Sequence, residues 1–347
     1  MKSKERIIYF DLLRIFAAFA IVCLHVSSQD WGESFPTIEW EVRNVYLSAV
    51  RWSVPVFVMI SGALFLDLGR PFNTKRLYTK NILRIVCAFL FWSFLSQIVD
   101  TGYEVGLKAL FILTINGPAY LWFLKMLLGL YILVPVLRVI VSNRRTECYY
   151  LSLSVVVVFI IPLLFDVIGL YSDSFVRFLK GNYEITEINE LIDFSSYFVL
   201  GHFLATSSIH KRMRQIIYML AIICFVIVVW GVHFYSLYSN QPSTYLYDYT
   251  NIFTLMEAMA IFLYAKENVK TISPSVLPVV IDTSNCCFGI YLVHPFVMKL
   301  QDCFFAFPPS SFMYVLIIPL TAVLVFFFSL LIVRVIRLIP YLNKYIV

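Results

Sequence analysis

Apolar residues run along this chain in long segments that are separated by short polar loops. A helix needs about 20 apolar residues to cross the hydrocarbon core of a bilayer, so such segments indicate transmembrane helices. Ten of them lie near residues 7–28, 45–66, 82–99, 120–141, 149–171, 191–205, 216–236, 251–265, 284–304 and 312–336. The pattern predicts an all-α integral membrane protein with a bundle of about ten transmembrane helices. Residues 107–115 form a shorter apolar piece, for which an interfacial or re-entrant position is expected.

Composition supports the same class of protein. The 347 residues are 61% hydrophobic and 14% charged, which is far too apolar for a water-soluble fold. The first segment exceeds the apolar region of a signal peptide, about 7–15 residues, and contains Arg14, so we expect it to remain as a helix. The seven cysteines lack the spacing of a disulfide or metal framework, and no metal is expected. Since no long linker interrupts the chain, residues 1–347 are expected to form a single transmembrane domain.

The loops alternate in charge. Lysine and arginine concentrate before the first segment, in the even-numbered loops and in the tail, whereas the first, third and fifth loops are rich in acidic residues. Cytoplasmic loops carry the Lys and Arg excess, so both termini are predicted to be cytoplasmic. The net charge of +6 is then an orientation signal, and no nucleic-acid partner is expected. The lipid bilayer is a partner, and homo-oligomer formation is left open.

The first segment carries Arg14 and His25 with ten residues between them. At about 100° per residue, an eleven-residue step closes to within roughly 20° of whole turns, so both side chains leave the same helix face. Asp11 shares that face. A charge at mid-membrane costs about 2.5–3.5 kcal/mol, which makes a functional site the default interpretation. The alternative is structural, with Asp11 and Arg14 as an ion pair and His25 as an interfacial polar tip.

Helix geometry separates the two groups along the membrane normal. At about 1.5 Å per residue, His25 lies roughly 16 Å above Arg14, near the outer surface, while Arg14 lies in the inner half. A histidine can act as a general base near neutral pH or can carry an acyl group. An arginine stays charged and can hold a phosphate or a developing oxyanion.

Several motifs resemble those of one membrane enzyme family. Tyr9-Phe10-Asp11-Leu12-Leu13-Arg14 with His25 is similar to the first helix of membrane acyltransferase family 3, whose hallmark is Arg or Lys, ten residues, then His. The further matches are Arg51-Trp52-Ser53-Val54-Pro55-Val56-Phe57-Val58-Met59-Ile60-Ser61-Gly62, then Leu121-Trp122-Phe123-Leu124 with Gly129, Tyr131 and Pro135, and Phe288-Gly289-Ile290-Tyr291-Leu292-Val293-His294-Pro295. They follow in order along nearly the whole chain. The compact length resembles the subgroup that O-acetylates surface polysaccharides.

The resemblance implies an acyl-CoA-dependent O-acyltransferase, with acetyl-CoA as the expected donor. The expected acceptor is a sugar hydroxyl of a lipid-linked or cell-surface glycan near the outer face, and the expected location is a bacterial inner membrane. His25 is the candidate base or acyl carrier, and Arg14 and Asp11 complete the candidate catalytic group. The competing hypothesis is a glycan-lipid transporter or flippase in which Arg14, Arg51 and Glu257 bind a charged substrate near the midplane.

A basic cluster at the cytoplasmic entry to the third segment is expected to meet the phosphates of coenzyme A together with Arg14. The cluster comprises Lys75, Arg76, Lys80 and Arg84. Two positions depart from the family pattern. Asn81 stands where the family often has the first arginine of a pair spaced Arg-x-x-Arg, and Tyr120 stands where related members tend to have histidine.

Seven further residues are candidates for substrate binding: Arg51, Ser61, Trp122, Tyr131, Glu257, Tyr291 and His294. Some have structural alternatives. Arg51 could snorkel or pair, and Glu257 could be buried and protonated. Ser61 and Gly62 are expected to serve close helix packing, and His294 is expected to satisfy backbone groups that Pro295 frees.

Overall fold

The structure, a computed structural model, describes residues 6–101, 106–169, 188–304 and 313–347, and within them it contains helices and no strand. In chain order the α-helices are α1 (Ile8–Ser28), α2 (Ile38–Val50), α3 (Ser53–Phe65), α4 (Thr74–Arg76), α5 (Leu83–Thr101), α6 (Leu107–Asn116), α7 (Trp122–Val141), α8 (Arg144–Ser154), α9 (Ile161–Gly169), α10 (Ile188–Thr206), α11 (Lys211–Ser239), α12 (Ile252–Asn268), α13 (Leu277–Phe304), α14 (Tyr314–Arg337) and α15 (Pro340–Tyr345). The π-helical segments Leu77–Ile82 and Val155–Ile160 join α4 to α5 and α8 to α9.

Eight helical stretches among the described residues are long and apolar enough to cross a membrane. They are Ile8–Ser28, Ile38–Phe65, Thr74–Asp100, Ala119–Val141, Arg144–Phe165, Lys211–Ser239, Leu277–Leu300 and Tyr314–Arg337. The chain is therefore an all-α, multi-pass membrane protein, as the hydrophobic pattern predicts. The predicted residues 170, 171 and 312 lie outside the described part of the chain.

The two short predicted segments, 191–205 and 251–265, are both helical. The first lies in α10, which has a non-helical residue at Asp193, and the second lies in the 17-residue α12. Tyr197 and Phe262 on these helices are fully buried. The count of ten spans and the cytoplasmic position of the termini remain predictions. Residues 107–115 lie in α6, a ten-residue helix that is too short to cross.

The second predicted segment begins earlier than its hydropathy indicates, at Ile38 rather than residue 45. Its first turns are polar, but their charges are paired inside the fold. The buried Arg43 donates to Glu39 at 2.7 and 2.9 Å and to the carbonyl of Val26 at 3.3 Å. The stretch also breaks at Arg51 and Trp52, between α2 and α3.

Helices α3 and α10 cross at backbone contact distance. A Cβ atom on Gly62 would lie 1.8 Å from the carbonyl oxygen of Phe198, and one on Gly201 would lie 2.0 Å from that of Met59. The expected packing role of Gly62 is confirmed, because only glycine lets the backbones approach this closely. The first helix, α1, lies inside the bundle, where Ala17 and Val22 are fully buried.

Candidate functional site

Asp11 anchors the N-terminal end of α1 to its neighbours. Its Oδ2 accepts from Nε of Arg6 at 2.7 Å, and its Oδ1 accepts from Nη2 of Arg6 at 2.8 Å, from Ser284 at 2.7 Å and from Nη1 of Arg14 at 3.2 Å. The carboxylate is almost fully buried. The ion pair that the sequence left open is therefore present. It holds Arg14 in place, which makes Asp11 a positioning residue.

Arg14 belongs to a cluster, here called the inner cluster after the predicted orientation of α1, of Arg14, Ser61, Arg84, Tyr131 and Cys287. The Tyr131 hydroxyl interacts with Ser61 and lies within electrostatic range of both arginines, and Cys287 lies within range of Arg14. The side chain of Arg14 keeps 28% of its surface exposed. All of these residues except Cys287 are candidates that the sequence predicts. Two guanidinium groups at one interior position make the inner cluster suited to an anion such as a phosphate.

The predicted basic cluster separates into two parts. Lys75, Arg76 and Lys80 are exposed around α4 and the following π-helical segment. Arg84 is half-buried, and its guanidinium lies 5.1 Å from the ring centroid of Phe288. The three exposed groups can attract an anion at the surface, whereas Arg84 can contact one inside the bundle. The π-helical segment contains Lys80 and ends two residues before Arg84, and such segments are frequent at functional sites.

The last residues of the chain meet Arg84. Nη2 of Arg84 donates to the carbonyl of Val347, and the indole of Trp92 donates to the carbonyl of Ile346 at 3.0 Å. Val347 is buried. Nε of Arg84 is buried and has no hydrogen-bond partner among the described residues. The hydropathy pattern does not predict the contact between Arg84 and Val347. It indicates only that the residues after α14 follow the last transmembrane segment on the cytoplasmic side.

A second site, here called the outer cleft after the same predicted orientation, lies at the C-terminal end of α1. It has a volume of about 370 Å³. Its lining residues are His25, Ser28, Gln29, Tyr120, His294, Pro295, Met298 and Lys299. The His25 and His294 rings lie 4.9 Å apart between centroids. The cleft therefore brings together two sequence candidates that are far apart in the chain, on α1 and α13.

The backbone sets the tautomer of His294. Its Nδ1 lies 3.3 Å from the carbonyl oxygen of Ile290, which can only accept a hydrogen bond, so Nδ1 carries the proton. Nε2 is then a bare acceptor, buried and without a partner among the described residues. Pro295 leaves the carbonyl of Tyr291, four residues earlier, without its helical partner, whereas the hydrogen bond of His294 goes to the carbonyl of Ile290, so the expected role beside Pro295 stays a prediction. A hydroxyl that lies in the cleft beside the two rings could donate to Nε2 of His294 or to His25.

Arg51 lies at the break between α2 and α3, beside the outer cleft. Its guanidinium lies 4.4 Å from the ring centroid of Tyr247 and 5.8 Å from that of Tyr249, and it acts electrostatically on His25. Trp122 stacks on Tyr249 with centroids 5.6 Å apart. Burial raises the pKa of both tyrosines, which lie in the loop before α12, so both hydroxyls are neutral at pH 7. The sequence pattern gave no signal for either tyrosine.

Helix α13 connects the two sites. Cys287 lies at the inner cluster and His294 at the outer cleft, seven residues or about 10 Å further along the helix. Tyr291 lies between them, and its hydroxyl donates to the carbonyl of Tyr120. The remaining candidate, Glu257, lines neither site and faces a separate groove. Among the described residues, no group of three or more His, Cys, Asp or Glu side chains could hold a metal.

Comparison with known proteins agrees with the motifs. The family model described as "Acyltransferase domain", of acyltransferase family 3, matches residues 7–334. No curated protein and no solved structure matches the chain. The matched region contains every residue of the inner cluster and the outer cleft. Since the match covers nearly the whole chain, this multi-pass membrane protein belongs to acyltransferase family 3 and is a membrane acyltransferase.

Proposed function

We propose that the chain moves an acetyl group from cytoplasmic acetyl-CoA to a sugar hydroxyl of a lipid-linked or cell-surface glycan near the outer face. One observation carries the proposal: α1 holds a partly exposed arginine near its N-terminal end and a cleft-lining histidine near its C-terminal end, about 16 Å apart along the helix. In this proposal the chain acts as one transmembrane domain of a bacterial inner membrane, with both ends in the cytoplasm.

The donor would enter at the basic cytoplasmic surface. Lys75, Arg76 and Lys80 would attract the coenzyme phosphates, and Arg14 and Arg84 would hold them inside the bundle. The pantetheine arm would then extend along α1 and place the thioester near His25. Because the tail contacts Arg84, binding of the phosphates there would require Val347 to move away from the guanidinium.

In the proposed transfer step, His25 carries the proton from the acceptor hydroxyl to the leaving group. His25 would take the proton of the acceptor hydroxyl as its oxygen attacks the thioester carbonyl carbon. The new O–C bond forms, the C–S bond breaks, and the proton passes from His25 to the sulfur of the departing coenzyme A. Arg51 would stabilise the negative charge that develops on the carbonyl oxygen. Trp122 would support Arg51 through Tyr249, and Nε2 of His294 would accept a hydrogen bond from the acceptor sugar.

Label transfer tests the proposal directly. Purified protein in lipid vesicles is incubated with radiolabelled acetyl-CoA and a glycan-lipid extract. We expect label on the glycan lipid, released by mild alkali as acetate from an ester. Movement of glycan lipid across the bilayer without label transfer would instead support a transporter. Label recovered on protein or on phospholipid alone would contradict the proposed acceptor.

Arg14 offers a test of the donor site. Arg14→Lys keeps the charge and can keep the pair with Asp11, but it loses the planar fork that holds a phosphate at two points. We expect KM for acetyl-CoA to rise by about tenfold or more, with kcat less affected, since a charge-assisted hydrogen bond contributes about 1.5–3 kcal/mol.

The matched control is Arg6→Lys. Arg6 bonds the same Asp11 carboxylate but lies outside the inner cluster, so its replacement should leave KM near the wild-type value. An unchanged KM in Arg14→Lys would confine Arg14 to the structural ion pair.

A further inference from the structure

A groove on the membrane-facing side, here called the lateral groove, runs between α11 and α12 and ends against the α2–α3 break. It has a volume of about 480 Å³, within the range of small-molecule sites. Trp52, Ala221, Phe225 and Ile261 contribute apolar walls, and Glu257 contributes the one ionisable carboxyl group. An apolar chain therefore fits most of its surface.

Glu257 lacks the partners that other buried carboxyl groups in this chain have. Its side chain lies in the groove wall, the residue is 7% exposed, and Oε1 is buried without a hydrogen-bond partner among the described residues. By contrast, Glu147 is 1% exposed and bonds both Arg144 and His202 at 2.7 Å. A buried carboxyl oxygen without a donor is costly, so a donor from outside the chain is favoured.

The groove faces lipid. Ile222 and Tyr264 line it and are 66% and 61% exposed on the outer surface of the bundle. A ligand that enters from the bilayer brings a hydrocarbon chain, and the unpartnered Oε1 of Glu257 can accept a hydrogen bond from its head group. A phosphate head is disfavoured, because it would place negative charge and acceptor oxygens beside a carboxyl group.

We propose that the lateral groove binds a long-chain lipid alcohol, whose hydroxyl donates to Oε1 of Glu257 and whose chain lies between α11 and α12. This site is separate from the outer cleft and does not depend on the proposed acetyl transfer. Trp52 forms the end of the groove next to Arg51, so a bound lipid would lie at the helix break that carries Arg51 beside the outer cleft.

Trp52 provides a reporter. Its indole Nε1 donates to the carbonyl of Ala49 at 2.7 Å, which fixes the ring in the groove wall. Bromine quenches tryptophan fluorescence on contact. The protein in detergent is titrated with a brominated long-chain alcohol and with the brominated alkane of equal length, without acyl-CoA. The same titrations are made with Trp52→Phe. Subtracting its fluorescence from that of the wild type leaves the signal of Trp52 and removes the contribution of exposed tryptophans such as Trp230.

We expect the alcohol to quench Trp52 at a concentration at least about fivefold lower than the alkane, which corresponds to one hydrogen bond of about 1 kcal/mol. Glu257→Leu should abolish this preference, whereas Glu257→Gln, whose amide oxygen still accepts, should retain it. Equal quenching by alcohol and alkane would overturn the proposal. Tighter binding of a brominated alkyl phosphate than of the alcohol would also overturn it. Because the experiment measures binding without acyl-CoA, a failure of the lateral groove to bind the alcohol is distinguishable from a failure of acetyl transfer.

Discussion

Replacing His25 by alanine is expected to reduce acyl transfer by about 10²-fold to 10⁴-fold, the usual contribution of a general base. A sugar hydroxyl is a poor nucleophile at neutral pH, so its attack on a thioester requires removal of the proton. His25 lines the outer cleft at the end of α1, beside His294 and within electrostatic range of Arg51. The measurement is initial-rate acetyl transfer by purified protein in vesicles.

The fold should survive this change. The ring of His25 is half-buried and packs against the ring of His294, so its loss removes little of the core. The control is His233→Ala, since His233 lies near the outer end of α11 and bonds Glu41 at 2.5 Å, away from the cleft. We expect this variant to retain activity. Near wild-type turnover in His25→Ala would show that another group removes the proton.

The arrangement along α1 could be predicted because helical periodicity is local. The eleven-residue step from Arg14 to His25 fixes a shared face and an axial separation without reference to other helices. The family motifs then marked residues on α3, α7 and α13, and the structure brings Ser61, Tyr131 and His294 to the two ends of that face. The sequence alone could not show which of them meet.

Other features depend on contacts between distant parts of the chain. Lys75 and Arg84 are both basic residues of the same predicted cluster, yet Lys75 is exposed whereas Arg84 belongs to the inner cluster. Hydropathy measures only the cost of placing a residue in lipid, so it missed the start of α2, where Glu39 neutralises Arg43. The transporter hypothesis groups Glu257 with Arg14 and Arg51 in one charged substrate site, but Glu257 lies in the lateral groove.

The crossing of α3 and α10 shows how packing positions the inner cluster. Ser61 reaches Tyr131 from α3, and the next residue, Gly62, is the point where the two helices touch. Any side chain at this point would force the helices apart. Both backbones are helical at the crossing, so neither can move there without breaking the hydrogen bonds of its helix. A change at Gly62 should therefore affect the whole bundle and the site together.

Gly62→Ala is expected to destabilise the protein by at least about 3 kcal/mol, the upper range for overpacking, because the added Cβ would lie 1.8 Å from the Phe198 carbonyl oxygen. The measurement is the midpoint of thermal unfolding in detergent, with folded yield followed by size-exclusion chromatography. Gly129→Ala is the matched control, since a Cβ there meets nothing within 4 Å and alanine favours the helix. We expect Gly129→Ala to unfold at or above the wild-type temperature. If Gly62→Ala did the same, α3 and α10 would not be held at backbone contact, and the position of Ser61 in the inner cluster would need another explanation.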